Sequence, residues 1–220
     1  METFKMLYQY IRRVCAGAAV LLGLITGHSL SADPVEAELV MQGRSQGDGQ
    51  GKAIPHQAQV GKANVGYNAK QGFAFRSFIV FDLSANLVDM EEGKKVELVT
   101  GYNWGGTGSD AGWEFVCLGA FDDADLTNKT VMGWGEPDGN RYAKPAPVVG
   151  KADPSQGATS YGVEGLLTLD VTESALKSGV SVEKPFLWFR VQAAQTDEPE
   201  SWGGLSVGPE RTKLLIHVDE

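Results

Sequence analysis

"KKVELVTGYNW", residues 94–104, alternates strictly: Val96, Leu98, Thr100, Tyr102 and Trp104 fall in one phase, and Lys95, Glu97 and Asn103 in the other. A period of two is the signature of a strand with one face in a core and one in water. The same texture recurs in both directions along the chain. "VEAELVMQ" (35–42), "FRSFIVFDLS" (75–84), "WEFVCLGAF" (113–121), "TVMGW" (130–134), "GLLTLDV" (165–171), "KPFLWFRVQAA" (184–194) and "RTKLLIHVD" (211–219) read as further strands, with a short one near "QAQVG" (57–61). Glycine, 28 of 220 residues, punctuates these runs as turns would. Residues 43–72 and 136–162 read as long loops, and the second is placed to cover a sheet edge. One helix is predicted, "TESALKSG" (172–179), with Thr172 at its N-terminus and Gly179 as its stop. The expectation is an all-β protein: a two-sheet antiparallel β-sandwich, jelly-roll-like, with about nine strands and one short helix.

The first 32 residues read as a secretory signal peptide. Lys5, Arg12 and Arg13 precede the apolar run Val14 to Ile25, and small residues up to Ala32 supply a cleavage site. The run falls short of the roughly 20 apolar residues that a spanning helix needs, so the mature chain is not expected to span a membrane. Residues 33–220 then form a single domain, secreted, periplasmic or held at the cell surface. Of 28 acids and 19 bases, Glu2 and those three bases leave with the signal, so 27 acids face 16 bases and the net charge is −11. Such a surface argues against nucleic acid as a partner, and against anionic polymers unless a local basic patch intervenes. Cys15 also leaves, so Cys117 has no intrachain disulfide partner; it sits in the apolar run "FVCLGAF" and reads as a small core residue. An exported chain of this size without a disulfide fits a bacterial origin.

Catalytic signatures are weak. Ser45 in "GRSQG" and Ser206 in "GLSVG" match a nucleophile-elbow string, but neither is followed by a helix. "GGTGSDA" (105–111) precedes a strand, so no helix N-terminus is there to hold a pyrophosphate. His56 and His217 are too few for a histidine-based metal site or relay. The acids Asp122, Asp123 and Asp125, and Asp197, Glu198 and Glu200, have the oxygen chemistry of a structural calcium site without the calcium-loop pattern, so no cofactor is predicted. The chain reads as a non-enzyme.

A set of residues extends this reading. "RSFIVFDLSANL" (76–87), "VELVTGY" with "WEFVCLGAFDDADLTNKTVMGWGEP", "LTLDVTESAL", "FLWFRVQA" and "LSVGPERTKLLIHV" follow one another in an order that resembles the DNRLRE-type domains, also classed as carbohydrate-binding module family 96. The eponymous DNRLRE string is absent. The resemblance implies an exported β-sandwich associated with polysaccharide-processing or cell-surface proteins, and carries over no site residue. Flat aromatic rings stack on the apolar face of sugars. The candidates for such contact are therefore Trp104 and Trp113, which flank the glycine run 105–112, Trp188, which shares a phase with Arg190 and Gln192, and Trp202 in "SWGGLS". Trp104 and Trp113 would meet across a turn as a cross-strand pair. Trp134, in the position "W-x-x-x-P" of that family, is assigned to the core. The leading expectation is a non-catalytic module for polysaccharide or cell-surface glycan. The alternatives are a structural or adhesive surface protein, and a hydrolase or lyase working through carboxylates.

Overall fold

The computed structural model describes residues 33–47, 59–68, 73–104, 113–126, 148–152, 163–193, 202–205 and 208–218. All belong to one compact unit, Ala32–Glu220. Eleven strands and two short helices occur among them: β1 (Val35–Gly47), β2 (Gln59–Val60), β3 (Asn64–Asn68), β4 (Phe73–Asp82), α1 (Leu87–Glu92), β5 (Gly93–Trp104), β6 (Trp113–Phe121), β7 (Val148–Ala152), β8 (Val163–Asp170), α2 (Thr172–Leu176), β9 (Phe186–Ala193), β10 (Trp202–Leu205) and β11 (Thr212–Val218).

Every pairing is antiparallel. One layer runs β1-β11-β5-β8 and the other β1-β4-β9-β6-β7. β1 serves both: Val35–Ala37 pair with β11, and Glu38–Gly47 pair with β4. A bulge between Leu39 and Met41 lets the strand turn from one layer to the other. Without β2, β3 and β10, eight strands remain; counted in chain order, the layers read 1-8-3-6 and 2-7-4-5, a jelly-roll arrangement. The antiparallel all-β sandwich read from the alternating runs is therefore the fold.

Alternation places the core. Val96 and Leu98 of β5, Ile79 and Phe81 of β4, Leu187, Phe189 and Val191 of β9, and Leu214 and Ile216 of β11 are fully buried in one cluster between the layers. Lys95, Glu97, Lys213 and His217 lie in the other phase, where Lys95 and His217 both reach Glu97 and Lys213 reaches Glu36. Burial classes thus follow the period of two that the sequence displays.

Where the structure departs from the sequence reading, the cause is tertiary. Residues 43–72 were expected to be mostly loop, yet β1 continues to Gly47 and β3 forms at Asn64–Asn68. β3 pairs with β4 on one side and β10 on the other, and β10 continues to β5. This two-strand ribbon closes a ring, β1-β11-β5-β10-β3-β4, and buries Ala63, Val65 and Leu205 in the main core. Within the expected loop 136–162, residues 148–152 form β7 on the outer edge of β6. Val171, not Thr172, occupies the N-cap of α2. The Thr172 hydroxyl is engaged elsewhere: it accepts the Val96 N–H at 2.9 Å and donates to Asp170 Oδ1 at 2.6 Å. Gly179 does follow α2 with φ of +80°, a conformation that a Cβ penalises. The expected strand 130–134, with Trp134, lies outside the described residues.

Part of the core inside the ring is polar. Gln42 of β1 donates from Nε2 to Thr212 Oγ1 of β11 (3.0 Å), Thr212 shares a hydrogen bond with Thr100 of β5 (3.0 Å), and the Gly208 N–H donates to Gln42 Oε1 (2.9 Å). Gln42, Thr100 and Thr212 are all buried. Replacing Thr212 with valine keeps the shape and removes the hydroxyl that two buried groups use. The expected loss of stability is about 1–3 kcal/mol in urea denaturation, and an unchanged midpoint would show that the chain of hydroxyls contributes nothing.

Candidate functional site

The layer β1-β4-β9-β6 has an outer face whose side chains register in rows. Met41, Val80 and Trp188 form the first, and Gly43, Phe78, Arg190 and Val116 the second; beyond them Ser45 lies opposite Arg76, and Gln192 opposite Glu114. Character changes steeply across them, from apolar to polar.

The apolar end is a second, smaller core. Met41, Phe78, Val80, Phe121, Leu126 and Trp188 pack together, with the segment after β6 folded back over them. Trp188 meets Phe78 and Phe121 edge-on, with ring centroids 6.2 and 6.3 Å away. Its indole N–H donates to the Asp123 carbonyl at 2.9 Å. A Cβ on Gly43 would run into Leu126, so this glycine is what lets Leu126 approach β1.

The polar end holds two arginines. The Arg76 pKa falls to about 9, first because burial penalises its charge and then because Arg190 repels it. Burial also lowers the Arg190 pKa. Gln192, on β9 one residue past Val191, which pairs with Ser77, donates from Nε2 to Glu114 Oε2 on β6 over a long 3.4 Å. Arg190 Nε and Gln192 Oε1 are shielded from solvent and have no hydrogen-bond partner. Arg190 and Gln192 are two residues apart on β9 and share this face. An unused donor and an unused acceptor thus occur on successive residues of one face, each carrying an unmet desolvation cost.

Of the four tryptophans expected to contact a ligand, two are core. Trp113 is 1% exposed and Trp188 0% exposed. A ring without an open face cannot stack on a sugar, so the expectation is corrected at both positions. Trp188 does lie on the outer face with Arg190, as its phase implies, but beneath the chain that covers it. Trp104 and Trp113 do not form a cross-strand pair. β5 pairs with β8, β10 and β11, while β6 pairs with β7 and β9 in the other layer. Across the interior Trp113 meets Tyr102 instead, edge-on at 6.5 Å. Trp104 and Trp202 lie at the ends of the neighbouring strands β5 and β10.

The remaining candidates fit structural roles. Ser45 is buried within β1, opposite Arg76, and sits on no elbow. His217 is a third exposed on the outer face of the other layer and bonds Glu97 at 2.8 Å. Asp123 Oδ1 accepts the Asp125 N–H, which shapes the turn over Trp188. Among the described residues no group of three or more His, Cys, Asp or Glu is placed to hold a metal ion, and no helix is long and apolar enough to cross a membrane. Ser206, His56, Asp197, Glu198 and Glu200 lie outside the described residues. Cys117 is buried and its thiol is pushed up to about 11 by desolvation. In protein beginning at Asp33 it is therefore expected to stay silent to Ellman's reagent at pH 8 until the chain is unfolded; prompt reaction of the folded protein would contradict its place in the core.

A concavity of about 320 Å³ lies between α1, α2 and the turn that follows, lined by Leu87, Met90, Leu176, Val180 and Val182. It is lined mainly by apolar side chains, and Ser181 is its one polar side chain. The outer face is the better candidate, because polar groups converge there on rigid strands. No family model matches the chain, and no curated protein matches it.

Proposed function

We propose that the chain is an exported, non-catalytic β-sandwich module that binds polysaccharide or cell-surface glycan. The observation that carries this reading is the group formed by the pair Gln192 and Glu114 with Arg190 and Arg76 near them, on the outer face of one layer. Guanidinium, amide and carboxylate groups on one face offer the donors and acceptors that a polyhydroxylated chain requires. The jelly-roll architecture holds them on strands rather than on loops, which suits recognition of an extended polymer lying across a sheet. The reading differs in one respect from that drawn from the tryptophans: contact is polar, and Trp113 and Trp188 serve the scaffold. Trp104 and Trp202 remain the aromatic candidates.

The test is binding of purified protein to a panel of insoluble polysaccharides and to a glycan array, with and without EDTA. Retention on at least one glycan, with no reducing sugar released, is the expected result. Failure to bind any glycan would overturn the reading. Sustained sugar release by pure protein would replace it with a carboxylate-based hydrolase or lyase.

A further inference from the structure

We infer that a second copy of this chain pairs with the free edge of β8, antiparallel and about a twofold axis at Leu166, so that the layer β1-β11-β5-β8 continues into the same layer of its partner. Among the described residues β8 pairs with β5 alone. Two hydrogen bonds fix the direction of its backbone groups. The Val171 N–H donates to the Val96 carbonyl at 2.9 Å, and the Gly101 N–H turns away from β8 to the Arg211 carbonyl at 2.8 Å. Bonding alternates along an antiparallel pair. Gly165, Leu167 and Leu169 therefore direct their N–H and C=O groups at β5, while Leu166, Thr168 and Asp170 direct theirs outward. The side chains of these last three residues are all exposed.

Sheet edges are commonly blunted by shortness, bulges, proline or charge. β2 is two residues long, and the pairing of β7 with β6 is interrupted by a register shift. β8 runs for eight residues, pairs with β5 without a shift, and carries neither charge nor proline between Gly165 and Leu169. Its inner side chains are fixed, since Leu167 and Leu169 pack against the main core. Leu166, by contrast, is 61% exposed, because the residue opposite it on β5 is Gly101, which has no side chain to shelter it. A copy paired about Leu166 supplies that shelter: each Leu166 faces its equivalent, and the outward groups on either side make roughly six hydrogen bonds, two for each facing pair. Centring the contact on Thr168 would instead set Leu166 against Asp170, an apolar side chain against a charge. Self-complementarity is what a twofold contact requires, and it makes the occupant a second copy rather than an unrelated strand. The contact leaves the polar group on β4, β9 and β6 free in both copies, because that group belongs to the other layer.

The test is sedimentation velocity of protein beginning at Asp33, from low micromolar to several hundred micromolar concentration, at low and high salt. The expected result is reversible dimerisation in the micromolar range, as suits a small contact. It tightens with added salt, because the chain carries a net charge of −9 and like-charged copies repel. Leu166→Lys sets two like charges at the axis, and Thr168→Pro removes an N–H that only the partner uses; each should weaken association roughly tenfold or more. Val182→Lys, at an apolar side chain more exposed still (81%) and outside β8, should leave it unchanged. Thermal melts establish that each variant is folded, and Leu166→Lys carries the test alone if Thr168→Pro does not fold. A short bismaleimide reads the register. Leu166→Cys should give a covalent dimer, whereas Thr168→Cys, whose two copies lie about 14 Å apart across the axis, should not; Cys117 is buried. A monomer at every concentration would overturn the inference. So would association lost in Val182→Lys but kept in Leu166→Lys, or cross-linking at position 168 and not at 166. None of these outcomes bears on the glycan-binding reading, which is tested separately.

Discussion

Trp188→Ala is expected to lower stability by about 3–5 kcal/mol, the range for truncating a buried large aromatic. For a domain of this size that corresponds to a fall in Tm of roughly 6–20 °C. The loss has two parts. The ring fills the smaller core against Phe78, Phe121, Met41 and Leu126, and its indole N–H satisfies the Asp123 carbonyl that anchors the covering turn. Trp188→Phe separates them: it retains much of the apolar contact and should cost less than alanine by a clear margin. Denaturation curves of the three proteins check this. A Trp188→Ala protein as stable as wild type, but defective in glycan binding, would restore Trp188 as a ligand contact.

Trp113→Ala should be comparably severe, again about 3–5 kcal/mol, through a different cluster. Trp113 belongs to the main core, edge-on to Tyr102 and level with Ala193 of β9 and Ala152 of β7. Its removal opens a void where both layers and the edge strand β7 converge, and nearby side chains are too constrained by their strands to collapse into it. Because the two rings lie in separate clusters, on opposite faces of the same layer, the double variant should lose the sum of the single losses within about 0.5 kcal/mol. A markedly smaller combined loss would mean that the two cores unfold together.

The strands that alternate over many residues were legible from sequence, because burial of one face is a local and repeated demand. β5 and β6 appear at residues 93–104 and 113–121, close to or at the bounds that their side-chain phases give. β3 ("NVGYN"), β7 ("VVGKA") and β10 ("WGGL") were not legible. They are short and rich in glycine, and only a neighbour's exposed backbone makes them strands. α1 was missed although its signal was present. Asn86 precedes the helix, its carbonyl accepts the Met90 N–H, and its side-chain amide reaches Asp89 three residues on, a variant of the reciprocal cap at helix starts.

The candidate site was half legible. Phase alone put Trp188, Arg190 and Gln192 on one face, and the structure agrees. Residue type points to the tryptophans on that face, because flat aromatic rings stack on sugars. Which part of that face stays open depends on where Leu126 and Asp123 fold back, and no local pattern encodes that return. Arg76, in the firmly read strand "FRSFIVFDLS", joins the site only through the pairing of β4 with β9, which brings it close to Arg190.

The shared strand β1 also sets the order in which the molecule forms. Val35 lies opposite Ile216, so the first strand of the sandwich pairs with the last. During synthesis β1 can zip onto β4 early, but the opposite layer has no partner for Val35–Ala37 until β11 emerges. The native topology is thus withheld until β11 is available, and its closure is a slow, long-range event. A sandwich closed this way stays incompletely folded until β11 is present, and gains its rigidity only then.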